Sequence, residues 1–180
     1  MAVPEKDRLL KGKAKVKTLS LHARKALALS ATKSRVTLNS LSKNESGVPL
    51  PENGIHWSLS HKIDFVAGVT APFPVGIDVE KIKPPFSALF NKIADSKEWA
   101  LGKDDPTLLF YRFWTAKEAV LKAAGKGISG LSRCKINQIP GDSNLIITYG
   151  GSKWEVVHFY FGGHMASITT CSFDVVWTLV

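Results

Sequence analysis

Between Asp105 and Gly127 the chain carries a helix whose two ends are both written in local chemistry, and no other stretch restricts the fold as strongly. Asp105 can accept from the free N–H groups of a first turn, and Pro106 fits the first helical position. Gly125 can adopt the left-handed conformation that stops a helix. Inside these limits Phe110, Trp114, Glu118 and Lys122 recur at every fourth residue. One stripe of the helix therefore carries two aromatics that seek burial next to a carboxylate and an ammonium. An exposed Glu–Lys pair at this spacing is worth only ~0.3–0.5 kcal/mol. The pair reads either as such a surface pair or as part of a site, and what the rest of the chain offers decides between the two.

A chain of 180 residues, 44% hydrophobic and with nine Phe and five Trp, can build one sizeable core, and no Pro/Gly/Ser-rich linker divides it. The expectation is a single domain over residues 1–180. No apolar run reaches the length of a membrane span. The first residues carry Glu5, Asp7 and several lysines where a secretory signal has its apolar core, so no export signal is read there, and an organelle transit peptide is the alternative for this stretch. Cys134 and Cys171 lie far apart without a Cys-x-x-Cys spacing, which fits a reducing compartment and no zinc site, and a cytoplasmic location is expected.

The net charge of +9 is uneven: residues 1–50 hold eleven Lys/Arg against three Asp/Glu, whereas residues 51–180 hold thirteen against twelve. A field of this kind attracts polyanions, whether nucleic acid, a phosphorylated cofactor or an acidic protein. Residues 1–17 read as a flexible basic arm. From Ser20 to Leu41, apolar Leu21, Leu27, Ala28, Val36 and Leu38 alternate with Arg24, Lys25, Lys33 and Arg35, as in a basic amphipathic helix. A loop holding Gly47, Pro49 and Pro51 follows, and then Ile55–Ser60 and Phe65–Thr70 as a hairpin.

After Pro72 and Pro74, Val75 to Glu80 alternates as a strand, with Val75, Ile77 and Val79 on one face and Asp78 and Glu80 on the other. Two carboxylates two residues apart repel each other unless solvent or a cation relieves them. Phe86 to Leu101 reads as one or two short helices. Beyond the central helix, β-like stretches at 135–136, 145–149, 154–161, 165–170 and 175–180 are punctuated by glycines. Two β-rich segments around a helical middle give an α+β class. His158 and His164 have no second ligand at metal spacing and read as core or surface histidines.

The order Trp114-x-x-Lys117-Glu118-Ala119-x-x-Lys122-x-x-Gly125-x-Gly127 resembles the second signature of the 4′-phosphopantetheinyl transferases. Gly76-Ile-Asp-Val-Glu80 resembles the first, and Ser58-Leu-Ser-His61 the Ser-His segment that precedes it. Together with a Gly-x-Pro loop at Gly47 and Pro49 they run over residues 20 to 130, in the family's order and at a length similar to the single-chain, surfactin-synthetase type.

The resemblance implies two similar α+β lobes related by a pseudo-twofold, at about residues 18–85 and 86–180, with the cofactor site between them. It implies transfer of 4′-phosphopantetheine from coenzyme A to a serine of an acyl or peptidyl carrier protein, an acidic partner, by a monomer that needs magnesium, or manganese in its place. Asp78, Glu80 and Glu118 would be the metal ligands, with Glu118 also the base that takes the serine proton. Lys122 and His61 would act on phosphate oxygens, assisted by Lys117 and Ser60. Arg24, then Lys25, are the candidates for the 3′-phosphate, and Gly47 and Pro49 for the nucleotide loop. Val48 departs from the Gly-Lys-Pro pattern of that loop. Two alternatives stand beside this reading: a nucleic-acid-binding module using the basic N-terminal region, and a relative that binds coenzyme A without transferring from it.

Overall fold

The computed structural model describes residues 1–180. Two sheets are present, each covered by one long helix. The first is a hairpin of β1 (His56–His61) and β2 (Val66–Ala71), packed under α2 (Gly12–Lys33). Gly68 makes that packing close: a Cβ there would lie 2.4 Å from the backbone N of Leu27. The second sheet has five antiparallel strands in the order β3 (Ile77–Lys81), β7 (His164–Thr170), β6 (Ser152–Phe161), β5 (Asn144–Tyr149), β4 (Lys135–Gly141). Its helix is α5 (Pro106–Ala123), and the short α3 (Ser87–Ile93) and α4 (Ser96–Trp99) precede it.

The main core lies between α5 and this second sheet, where Phe113, Val120, Leu121, Leu145 and Ile147 are essentially inaccessible. The α5 ends are those expected from sequence. The Asp105 side chain accepts from Thr107 N and Leu108 N at 2.9 and 3.1 Å, and Gly125 has φ +64° while Lys126 N donates to Leu121 O at 2.8 Å.

Three expectations change. Residues 1–17 are not a loose arm. Val3 is fully buried beside Leu19, Ala23 and Val66, and Val3 N donates to Asp64 O while Val66 N donates to Met1 O. Arg8 donates to Val3 O and pairs with Asp64, Asp7 meets His22 at 2.7 Å, α1 (Glu5–Arg8) forms, and α2 already starts at Gly12 and ends at Lys33. An apolar anchor at Val3 with three polar ties overrides the basic composition. Second, the two sheets do not divide at residue 85, because β3 comes from the first half of the chain and completes the second sheet by pairing with β7. Third, residues 175–180 form no strand. Val175 and Trp177 pack inward, but that segment's alternation meets no strand edge to pair with, and its one tie to a neighbour's backbone is from Ala2 N to Val180 O at 2.7 Å.

Candidate active site

The site lies where the two sheets meet, and a glycine makes the meeting possible. A Cβ on Gly76 would fall 1.9 Å from the carbonyl oxygen of Ala119, so only glycine lets the start of β3 touch α5. β3 then runs along the stripe of α5 picked out by the four-residue spacing. Trp114 Nε1 donates to Glu80 Oε1 at 3.0 Å, Lys122 Nζ donates to Asp78 Oδ1 at 2.8 Å and to Ile77 O at 2.9 Å, and Glu118 stands between Trp114 and Lys122 on the helix.

The outer edge of β3 is closed by β1 through hydroxyls rather than a backbone ladder. Ser58 Oγ accepts from Ile77 N at 3.2 Å, and Ser60 Oγ accepts from Val79 N at 3.3 Å while donating to Asp78 Oδ1 at 2.8 Å. Alternate serines on β1 therefore satisfy the alternate N–H groups of an edge strand. Ser60, expected as a cofactor contact, has spent its proton on Asp78. It is a positioning residue for that carboxylate.

Three carboxylates surround the seam with too little positive charge to balance them. Burial pushes Glu118 above the usual carboxylate range, and the charges of Asp78 and Glu80 add to the rise against the opposing Lys122. Burial likewise raises Glu80, with Asp78 adding to it, although the hydrogen bonds from Lys62 and Trp114 pull the other way. Lys62 sits 2.7 Å from Glu80 Oε1. Burial works against its ammonium, but the Glu80 hydrogen bond and the charges of Glu80, Asp78 and Glu118 outweigh this and raise its pKa. His61, at the end of β1, is pushed down by burial and by the Lys122 charge, so it is neutral near pH 7.

No three Asp, Glu, His or Cys side chains are gathered closely enough to hold a metal as they stand. The donor set nevertheless fits a hard divalent cation. Asp78 Oδ2 is buried without a hydrogen-bond partner, and the Asp78 charge raises both Glu80 and Glu118, a repulsion that a cation would remove. Lys122 holds Asp78 Oδ1 and Lys62 holds Glu80 Oε1.

Beside Lys122 opens a cleft of about 260 Å³ between the Gly47-Val48-Pro49 loop and the turn that ends α5. Lys43, Lys122 and Lys126 are its charged residues, and Ser46, Trp57, Gly125 and Gly127 also line it. Of the residues expected to meet a cofactor, Gly47, Pro49 and Lys122 are brought together here. Arg24 and Lys25 are not among its walls; both are exposed on α2.

Lys117 is a correction. It is 1% exposed, its Nζ donates to Ile93 O at 2.6 Å and to Glu98, and burial lowers its pKa against the pull of Glu98. One residue along a helix turns the side chain by about 100°, which puts Lys117 on the core stripe with Phe113 and Leu121 rather than beside Lys122. That spacing was the available signal. Lys43, Lys62, Lys126 and Glu98 are additional to the residues expected. Of these, Glu98 alone had a local mark, the Asp95-x-x-Glu98 capping-box pattern, which the structure forms.

Residues 74–171 match the family model of the 4′-phosphopantetheinyl transferase superfamily. Among curated proteins, the chain is similar to the 4′-phosphopantetheinyl transferase gsp of Aneurinibacillus migulanus, 33% identical over 66% of this chain and 51% of the relative. It is similar to a putative 4′-phosphopantetheinyl transferase of Haemophilus influenzae, 37% identical over 69% of this chain and 57% of the relative. It is also similar to the 4′-phosphopantetheinyl transferase Sfp of Bacillus subtilis, 37% identical over 41% of this chain and 35% of the relative. The matched stretches thus span from a third to just over a half of these relatives' lengths.

Proposed function

Since the chain belongs to the 4′-phosphopantetheinyl transferase superfamily, we propose that it moves 4′-phosphopantetheine from coenzyme A to a serine hydroxyl of an acyl or peptidyl carrier protein, releasing adenosine 3′,5′-bisphosphate. The observation that carries this reading is the seam itself. A buried, unpartnered oxygen of Asp78 and two carboxylates raised by burial and by the Asp78 charge stand next to a lysine-lined cleft.

Asp78, Glu80 and Glu118 would hold a divalent cation, magnesium in this reading, which when bound offsets the charge on the diphosphate of coenzyme A. The chain's own groups account for the rest. In the transfer, the serine oxygen forms its bond to the β-phosphorus as the bond from that phosphorus to the bridging oxygen breaks, and the electron pair leaves with the nucleotide. Glu118 would accept the serine proton, and its raised pKa supports this, since it makes Glu118 a better base than an exposed glutamate. Lys122, held by Asp78 and by Ile77 O, presents a point charge at the mouth of the cleft for a phosphate oxygen. His61, neutral and exposed at the end of β1, can donate one N–H without adding charge. Trp114 fixes Glu80 through its indole N–H.

The carrier is expected to be acidic. α2 holds Lys13, Lys15, Lys17, Arg24, Lys25 and Lys33 with no acidic residue, and Val16, Leu21 and Leu29 are exposed among them. Such a surface suits an acidic helical protein by charge and by apolar contact.

The test is intact mass spectrometry of apo acyl and peptidyl carrier proteins incubated with this protein, coenzyme A and magnesium. The expected result is a mass gain of one phosphopantetheine, absent in excess chelator and reduced at least about a hundredfold in rate for Glu118→Gln, the scale of losing a positioned base. Unchanged turnover in Glu118→Gln would remove the base assignment, and no gain on any carrier would remove the reading.

A further inference from the structure

We propose that Lys43 supplies the cation that the Gly47-Val48-Pro49 loop lacks at its centre, and that it binds a phosphate group of coenzyme A in the cleft beside Lys122. The proposal rests on coenzyme A being the co-substrate.

The loop is the tip of a small hairpin. Lys43 and Pro49 are bridge partners across it, Asn44 N donates to Val48 O and Gly47 N to Asn44 O, both at 2.9 Å, and the Asn44 side chain accepts from Val48 N at 2.9 Å. Lys43 thus stands opposite Pro49 on the other arm of the same turn, and both line the cleft. Position 48 has a different job. The Val48 side chain reaches the turn at Gly125, where an added Cβ would meet Val48 Cγ1 at 3.2 Å, so the valine seats the loop against the end of α5.

Charge favours the assignment. The cleft is lined by three lysines and no acidic residue. Lys122 is paired with Asp78, whereas Lys43 and Lys126 form no ion pair. The Lys43 ammonium lies 6.0 Å from the centroid of Trp57, on the cleft wall. Two ammoniums without a countercharge in one cleft favour an anionic ligand such as a phosphate group. A lysine meets a phosphate as a point charge with rotatable donors, so it can act from either arm of the turn.

Calorimetric titration of the full protein with coenzyme A at low salt tests this, using wild type, Lys43→Met and Lys43→Arg. Lys43→Met should raise Kd about tenfold, the loss of one charge-assisted contact, and flatten the salt dependence of log Kd. Lys43→Arg should stay within about threefold of wild type. Repeating the titrations with 3′-dephospho-coenzyme A separates the two phosphate sources: a penalty that persists puts Lys43 on the diphosphate, and one that vanishes puts it on the 3′-phosphate. A Lys43→Met affinity within twofold of wild type overturns the proposal. An equal loss in Lys43→Arg also overturns it, because the effect would then belong to the hairpin and not to the charge. Failure of wild type to bind coenzyme A would instead overturn the reading on which the proposal rests.

Discussion

A single added methyl group at position 76 collides with the backbone of α5, so Gly76→Ala tests the seam at its narrowest point. The nearest atoms are the Ala119 carbonyl oxygen at 1.9 Å and Ala123 N at 2.8 Å, neither of which is the movable end of a side chain. The strand has to back away from the helix, and the Asp78–Lys122 contact goes with it. Denaturant unfolding should show a loss of about 3 kcal/mol or more, at the upper end for overpacking. Stability equal to wild type would mean that β3 and α5 tolerate separation. The same scale separates the two lysines of the signature. Lys117 and Lys122 read alike as basic residues five apart, but only Lys122 lies on the stripe that faces β3, while Lys117 is sealed under Glu98.

Glu98 ties three elements together. One carboxylate caps α4 by accepting from Asp95 N at 3.0 Å, pairs with Lys117 of α5, and accepts from Ile136 N of β4 at 2.9 Å. Glu98→Gln keeps the shape but leaves the Lys117 ammonium buried without its countercharge, a defect of about 3 kcal/mol. Thermal unfolding should report that loss, and carrier modification by the folded fraction should persist, because neither Glu98 nor Lys117 lines the cleft. Loss of transfer without loss of stability would move this pair into the chemistry.

Elements of this kind were unevenly legible in the sequence. α5 was readable at both ends because a cap and a left-handed glycine act within a few residues. The Asp78/Glu80 alternation was readable because pleating is local. The partner of β3 was not, since pairing with β7 joins residues about ninety apart and nothing local specifies it. Residues 1–17 misread for the opposite reason: their charge is conspicuous, and the anchor, Val3, is one small apolar side chain whose pocket is made by residues far away.

Acid stability belongs to the whole molecule, because a buried histidine joins its central helix to its sheet. His158 Nδ1 lies 2.7 Å from Ser167 Oγ, which is 2.5 Å from Thr115 Oγ1, which donates to Tyr111 O at 2.7 Å. With one proton per hydroxyl, the consistent chain has His158 Nδ1–H donating to Ser167 and Ser167 to Thr115, leaving Nε2 as a bare acceptor. Burial, with the Arg112 charge, lowers the His158 pKa to about 3. The unfolded chain therefore binds a proton below the ordinary histidine pKa that the folded chain refuses. Stability is full above about pH 6.5 and falls as the pH drops toward 3, by at most about 1.4 kcal/mol per pH unit from this group. Glu80 and Glu118, raised in the folded state, act in the opposite sense, so the difference between wild type and His158→Gln isolates the histidine. Unfolding free energies from pH 7 to 4.5 should fall less steeply in the variant, and parallel curves would show that His158 accepts a proton without unfolding.

The crossing of β3 from the first half of the chain into the sheet of the second has a mechanical consequence. The residues that carry Asp78 and Glu80 are hydrogen-bonded into one sheet and buttressed by the serines of the other, so the two halves have no hinge between them at the site. The Lys43–Pro49 hairpin beside Lys122 is likewise held, by its own backbone ties and by the contact of Val48 with Gly125. Asp78 and Glu80 therefore sit on a fixed anvil, gripped from both sheets at once.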